Sequence, residues 1–211
     1  MESSQFFGIS SVAYILAMIA YITYIVHKNS TIGIIATTLT VIGFFTQTIA
    51  FFLRWSEFAQ LSQMGMIRSI PLTNLYESLV FFIWCVILGY LIVEWKYKNR
   101  SFGAFVTPIA GMALAFIDIS GMSKDIQPLV PALQSNWLLV HVIMSFIAYA
   151  TFALAFATGI MYLALNTEDK KGGAYIFWTV TLGIFLVILI AMVIDFLVFK
   201  IVAKTPEAFI K

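Results

Sequence analysis

The longest apolar run of the chain extends from Asn136 to about Leu165 and carries no Asp, Glu, Lys or Arg side chain. At a rise of about 1.5 Å per residue, a helix over this run exceeds the ~30 Å hydrocarbon core of a bilayer, so it should tilt or protrude at one end. The rest of the chain is similar, since 62% of all residues are hydrophobic and 10% are charged. That leaves too little polar surface for a water-soluble globule. The sequence therefore predicts an integral membrane protein.

Six apolar runs follow one another along the chain, and each is continuous rather than alternating over about ten residues. Because only helices and closed barrels satisfy their backbone in lipid, these runs predict helices. We expect an all-α polytopic fold of about six transmembrane helices in a single domain, residues 1–211. The expected spans are about Phe7–Val26, Ile32–Leu53, Leu75–Trp95, Phe102–Ile117, Asn136–Leu165 and Tyr175–Phe199.

Polar and helix-breaking residues mark the segments between these runs. Arg54–Asn74 and Asp118–Ser135 are expected to be loops, with a short surface helix as an alternative in the first. The fourth run is short and contains Gly103, Pro108 and Gly111, which predicts a kinked or tilted helix.

Basic residues are unevenly distributed between the two sides of the membrane. Six spans put both termini on one side, and cytoplasmic loops are enriched in Lys and Arg. Three basic residues lie in the loops on the side of the termini, against six in the opposite loops. The C-terminal tail adds three more on the side of the termini, so counting the tail makes the two sides equal. The loop counts predict that both termini lie outside. The loops opposite the termini hold six basic residues: Lys28, Lys96, Lys98, Arg100, Lys170 and Lys171.

Several classes of function are excluded by composition. The net charge of +2 is spread over several loops and forms no basic patch, so nucleic acid is not an expected partner. The single cysteine, Cys85, permits no disulfide or cysteine-based metal site within one chain and is expected to be a small core residue. No phosphate loop, pair of catalytic carboxylates or nucleophile triad is visible.

His141 is the one histidine that lies well inside an apolar run, and an ionisable side chain in a membrane indicates function. Trp137, His141, Ser145 and Tyr149 recur every four residues and share one helix face. The position of His141, about 7–8 Å from the start of the helix, places it near the outer boundary of the membrane. Two interpretations are equally supported: an interhelical hydrogen bond, to a backbone carbonyl or to Glu77, and ligation of a cofactor.

The third run begins with a capping-box pattern, in which Asn74 is the N-cap and Glu77 reaches back from the third helical position. The pair is expected either to satisfy the free N–H groups of the helix start or to contact a partner or ligand at the outer face. Asp118 and Asp195 suggest a further alternative, a transporter or quinone-linked carrier, but no inverted repeat or pair of broken helices accompanies them.

Several of these segments, taken in order and with their spacing over about residues 50–165, resemble the N-terminal part of the CcsA/ResC family of system II cytochrome c maturation. The segments that carry the resemblance are Arg54-Trp55, Pro71-Leu-Thr-Asn-Leu-Tyr-Glu-Ser-Leu79, Phe81-Phe-Ile-Trp84, Gln127-Pro-Leu-Val-Pro131, Leu133-Gln-Ser-Asn-Trp-Leu-Leu-Val-His-Val142 and Ala148-Tyr-Ala150.

This resemblance implies that haem b is handled on the outer face and joined to the CxxCH cysteines of an apocytochrome c. In the family, the histidine that matches His141 is one of an external pair of haem-iron ligands beside a tryptophan-rich WWD segment. His141, with Trp137 on the same face, is therefore the expected haem site. The resemblance also implies a ResB/Ccs1-like membrane partner, and it makes the chain at most part of a haem lyase complex.

The resemblance is incomplete at the C-terminal side. Where the family continues with the WWD segment and the second histidine, this sequence has only residues 200–211, and no tryptophan follows Trp178. His27 is expected on the opposite face. The second iron ligand is therefore expected from another subunit, from the apocytochrome, or from Met66 or Met122, and a separate WWD-containing subunit is a further expected partner. The alternative is a scaffold subunit that docks a partner and binds no haem.

Overall fold

The computed structural model describes residues 3–62, 70–119 and 135–166, and these residues form helices and turns without any strand. This confirms the all-α prediction. A 3-10 turn over Arg100–Phe102 precedes the fourth helix. The helices are α1 (Ser3–His27), α2 (Ser30–Ser62), α3 (Leu75–Tyr97), α4 (Gly103–Ile119) and α5 (Asn136–Leu165).

Four stretches in the described residues are long and apolar enough to cross a membrane: Ser3–His27, Ser30–Gln60, Leu75–Tyr97 and Trp137–Leu163. The fourth helix, α4, has 17 residues and a length of about 25 Å. The chain divides into two compact units, Met1–Ile160 and Met161–Lys211, and helices α1 to α4 and most of α5 lie in the first. The expected single domain stays a prediction. The expected features outside the described residues are the sixth run, most of the loop 118–135, Asp195, Met66 and Met122.

Helices α1 to α4 form a bundle in which neighbours along the ring are antiparallel. The Tyr14 hydroxyl of α1 donates to Gln47 Oε1 of α2 at 2.7 Å, and Gln47 Nε2 donates to the Val80 carbonyl of α3 at 3.0 Å. Gly111 of α4 lies against Ile15 of α1, which closes the ring. The diagonal between α1 and α3 is filled by edge-to-face ring pairs, Phe7–Tyr76 and Tyr21–Tyr90.

These helix directions give the bundle two ends. The Glu77 end holds Ser3, Arg54, Glu57, Thr73 and Glu77, and the Glu94 end holds Tyr21, Thr37, Tyr90, Glu94 and Arg100. Since α1 starts at the Glu77 end, its last residue, His27, lies at the Glu94 end.

The fifth helix packs on α3 through few contacts. The Phe81 and Phe146 rings meet edge to face at 5.8 Å, and a Cβ on Gly89 would lie 2.5 Å from Leu154 Cδ1. In both contacts the α5 residue follows its α3 partner by 65 positions in the sequence. Because this offset is constant, α3 and α5 run in the same direction. The same offset puts His141 at the level of Tyr76, beside the Glu77 end.

Two boundaries differ from the sequence-based expectation. The segment Arg54–Asn74 was expected to be a loop, but α2 continues to Ser62. The reason is that its polar residues are paired inside the bundle rather than solvated: Arg54 binds Glu77, and Glu57 accepts from Ser3 N at 3.1 Å. The fourth helix is not broken at Pro108 and extends to Ile119, two residues beyond the predicted end.

Candidate functional site

The start of α3 is capped by its own sequence. Asn74 has an extended backbone, with φ −134° and ψ 171°, and its Oδ1 accepts from Glu77 N at 2.8 Å. The Glu77 carboxylate reaches back to Thr73, the residue before the cap, and accepts from Thr73 N at 2.8 Å and Thr73 Oγ1 at 2.9 Å. The Asn74 side chain thus accepts from an N–H inside the first turn, and the Glu77 side chain accepts from the N–H that precedes the cap.

The other oxygen of the Glu77 carboxylate forms a buried ion pair. Arg54 Nε lies 3.0 Å from Glu77 Oε1, and the two side chains are 4% and 1% exposed. The Arg54 guanidinium also lies 5.1 Å from the centre of the Tyr76 ring. Both Glu77 oxygens therefore have partners within the chain, which supports a structural role for this residue.

His141 lies at the same depth but on a different surface. It is exposed in the described part of the chain, and its neighbour on the same face, Trp137, is 83% exposed. Tyr149 is exposed as well, and the Ser145 hydroxyl donates to the His141 carbonyl at 2.8 Å. Among the described residues no hydrogen bond joins the His141 ring to Glu77, so the structure brings the two residues to one level without joining them.

This arrangement fits haem in one respect. An accessible imidazole can supply one axial ligand to iron, and exposed aromatic rings on the same face offer apolar surface to a porphyrin. The described residues contain no group of three or more His, Cys, Asp or Glu side chains that could hold a metal ion by themselves. His27 lies about 30 Å away along the bundle, since Tyr76 packs against Phe7 and His27 follows Phe7 by 20 residues in α1. Within the described part of the chain, the site therefore offers a single histidine ligand.

A second polar cluster, at the Glu94 end, was not anticipated from the sequence. Glu94 Oε1 accepts from Thr37 Oγ1 at 2.6 Å, and Glu94 Oε2 accepts from the Tyr90 hydroxyl and, at 3.3 Å, from the Tyr21 hydroxyl. Arg100 Nε lies 3.8 Å from Glu94 Oε1. The available signal was the four-residue spacing of Tyr90 and Glu94 inside an apolar run, which puts both on one helix face.

Comparison with known proteins places part of the chain in a family. A family model described as cytochrome C assembly protein matches residues 72–180. A protein named cytochrome c biogenesis protein CcsA from Trieres chinensis is 34% identical over 162 residues, which are 66% of this chain and 50% of that protein. The protein of the same name from Guillardia theta is 31% identical over 169 residues, 77% of this chain and 53% of that protein.

A further protein of that name, from Heterosigma akashiwo (strain NIES-293 / 8280G21-1), is 44% identical over 104 residues, 48% of this chain and 32% of that protein. The chain thus spans about half the length of the proteins from Trieres chinensis and Guillardia theta. No solved structure matches it.

The family match contains both features built above, the capped start of α3 at Asn74 and Glu77 and the exposed His141 of α5. It covers more than half of the chain, and the named relatives agree with it. The chain belongs to the family of cytochrome c assembly proteins that includes CcsA.

Proposed function

We propose that this membrane protein takes part in cytochrome c biogenesis by handling or presenting haem at the Glu77 end of the bundle, for covalent attachment to apocytochrome c. Participation in biogenesis is supported by the family match and by the relatives named CcsA. The haem role is supported by one observation, the exposed His141 imidazole at the depth of the Glu77 end, within the matched segment.

His141 would serve as an axial ligand of the haem iron. A neutral imidazole coordinates through one ring nitrogen while the other nitrogen needs a hydrogen-bond partner. The exposed face of α5 leaves the ring accessible, and the Trp137 indole, one turn away, offers an apolar surface to the edge of the porphyrin. Haem b is the form we propose, since its vinyl groups are what thioether attachment to cysteine consumes.

The second axial ligand and the attachment step are assigned to other groups. His27 is too far along the bundle, so we propose that a ResB/Ccs1-like partner, the apocytochrome, or Met66 or Met122 supplies the ligand. On this proposal the chain functions within a haem lyase complex. The Glu77 end then faces outward from a bacterial cytoplasmic membrane, or into the lumen of a thylakoid.

The test is haem content of the full chain purified together with its natural partners. We expect His141→Ala to abolish the Soret absorbance per protein and to stop cytochrome c maturation, with added imidazole restoring part of the absorbance. Ser145→Ala is the matched control, because Ser145 lies one turn further on the same face and, among the described residues, its hydroxyl bonds only the helix backbone. Unchanged haem content and maturation in His141→Ala would contradict the proposed ligand.

A scaffold role is the second candidate, favoured by the exposure of α5. Only 6% of its most apolar window is buried among the described residues, so a long apolar surface is left for other helices. If the chain is a scaffold, no haem should copurify with it at any stoichiometry, and His141→Ala should assemble fully with the partner. Recovery of the partner without haem, in both the native chain and the variant, would support this candidate over the first.

A further inference from the structure

Two turns at the Glu94 end share an unusual backbone. Lys28 follows the last residue of α1 and Lys98 follows the last residue of α3, with φ angles of 51° and 52°. Each lysine N–H donates to the carbonyl four residues earlier, Tyr24 at 2.8 Å and Glu94 at 2.7 Å. In the described part of the chain these are the only non-glycine residues with positive φ.

The residue after each lysine is also the same. Asn29 Oδ1 accepts from Thr31 N at 2.9 Å, and Asn99 Oδ1 accepts from Ser101 N at 3.1 Å. The chain therefore uses one Lys-Asn turn twice, each time to leave one helix and begin the next.

Lysine is a poor choice for such a position on backbone grounds. Left-handed φ angles disfavour side chains with a Cβ, and glycine is the residue that usually ends helices in this way. The presence of lysine at both positions indicates that the side chain is needed there, since glycine would form the same turn with less strain.

Both turns lie on one surface of the bundle. Arg100 Cδ, from the second turn, lies 3.1 Å from the position that a Cβ on Gly33 would occupy, just after the first turn. Lys28, Lys96 and Lys98 are exposed, and within residues 3–62, 70–119 and 135–166 none of them forms an ion pair. The charge of Arg100 is offset by Glu94, so among the described residues three lysines supply the uncompensated charge of this surface.

Neighbouring aromatic residues indicate the depth of this surface in the bilayer. Trp95 is 83% exposed and Tyr97 is 67% exposed, both in the last turn of α3. Exposed Trp and Tyr side chains at the end of an apolar helix mark the level of the lipid headgroups. The Lys96 ammonium lies 5.6 Å from the centre of the Tyr97 ring, which keeps it at that level.

We propose that the lysine surface formed by Lys28, Lys96 and Lys98 binds the phosphate groups of anionic lipids in the surrounding leaflet. Charge complementarity at headgroup depth and the strained backbone of two of the lysines support this assignment. An ammonium group on a flexible stem suits a phosphate whose position varies, and each basic residue near the surface strengthens the attraction to anionic lipid. This proposal is independent of haem binding at the other end.

The test compares lipids by titration of the full chain in a neutral detergent. Short-chain phosphatidylglycerol is expected to bind more tightly than short-chain phosphatidylcholine and to raise the thermal midpoint more. The variant Lys28→Gly/Lys98→Gly should weaken phosphatidylglycerol binding about 25-fold, about fivefold for each lysine. Lys28→Arg/Lys98→Arg is the matched control and should retain the preference, because it keeps both charges.

The glycine variant also separates this role from a structural one. Glycine adopts positive φ freely, so in phosphatidylcholine the thermal midpoint of the double variant should equal or exceed that of the native chain. A lower midpoint there would overturn the proposal by showing that the lysines stabilise the fold itself. Equal binding of the two lipids, or equal stabilisation by inorganic phosphate, would overturn it as well.

Discussion

Replacing Arg54 with methionine is expected to destabilise the bundle by about 3–5 kcal/mol, the cost of leaving a buried charge without its partner. The structure gives the reason, since the Glu77 side chain is 1% exposed and loses the guanidinium 3.0 Å from its Oε1. The remaining contacts from Thr73 do not neutralise the carboxylate. Methionine fills a volume similar to the stem of the arginine, so the loss is chiefly electrostatic.

A second substitution should restore part of that stability. In Arg54→Met/Glu77→Gln the buried group at position 77 is neutral and its amide oxygen can still accept from Thr73 N, so we expect about 2 kcal/mol or more to be regained. The matched control is Arg100→Met at the Glu94 end. Arg100 is 37% exposed and lies 3.8 Å from Glu94, so its removal should cost about 0–1 kcal/mol.

The free energy of unfolding can be measured from tryptophan fluorescence as the fraction of sodium dodecyl sulfate in mixed micelles is raised. A cost of less than about 1 kcal/mol for Arg54→Met, below the range for an unpaired buried charge, would contradict the buried ion pair. A double variant less stable than Arg54→Met alone would contradict it as well.

Two further predictions use the same assay. Gly103→Ala should lower the free energy of unfolding by about 1–3 kcal/mol, because the new Cβ would lie 2.5 Å from the Tyr90 hydroxyl in the packed core. Gly159→Ala is the control: a Cβ there would meet no atom within 4 Å, so stability should be unchanged or higher. Asn74→Ala should lower the free energy of unfolding by about 1 kcal/mol, because the N-cap of α3 is lost, whereas Asn74→Ser should retain most of the native stability. Equal stability of the native chain and Asn74→Ala would contradict the cap.

The fold class and most helix positions could be predicted from the sequence. The first and third runs became α1 and α3 with boundaries shifted by a few residues, and the fifth became α5 with the boundaries expected, because a transmembrane helix satisfies its own backbone and depends little on its neighbours. The prediction was wrong for the segment after Leu53. There Arg54 was expected in a loop, whereas it is buried within α2.

The two polar clusters show why that error arose. A charged residue in a membrane protein is expected at the interface unless a partner neutralises it, and the partner of Arg54 lies 23 residues away in another helix. Glu94 was overlooked for the same reason, since Thr37 and Tyr21 reach it from helices remote in sequence. Local patterns contain no information about such partners.

For this protein, the helical class, the membrane environment and the cap at Asn74 could be predicted from the sequence alone, and the haem role of His141 stays a prediction. The first three depend on composition, spacing and hydrogen bonds within a few residues. Only the tertiary structure decided that Arg54 and Glu77 form a buried pair and that His141 lies exposed at the level of Tyr76. Those facts follow from the antiparallel register of α2 and α3 and from the parallel register of α3 and α5, which are set by side chains packing between helices.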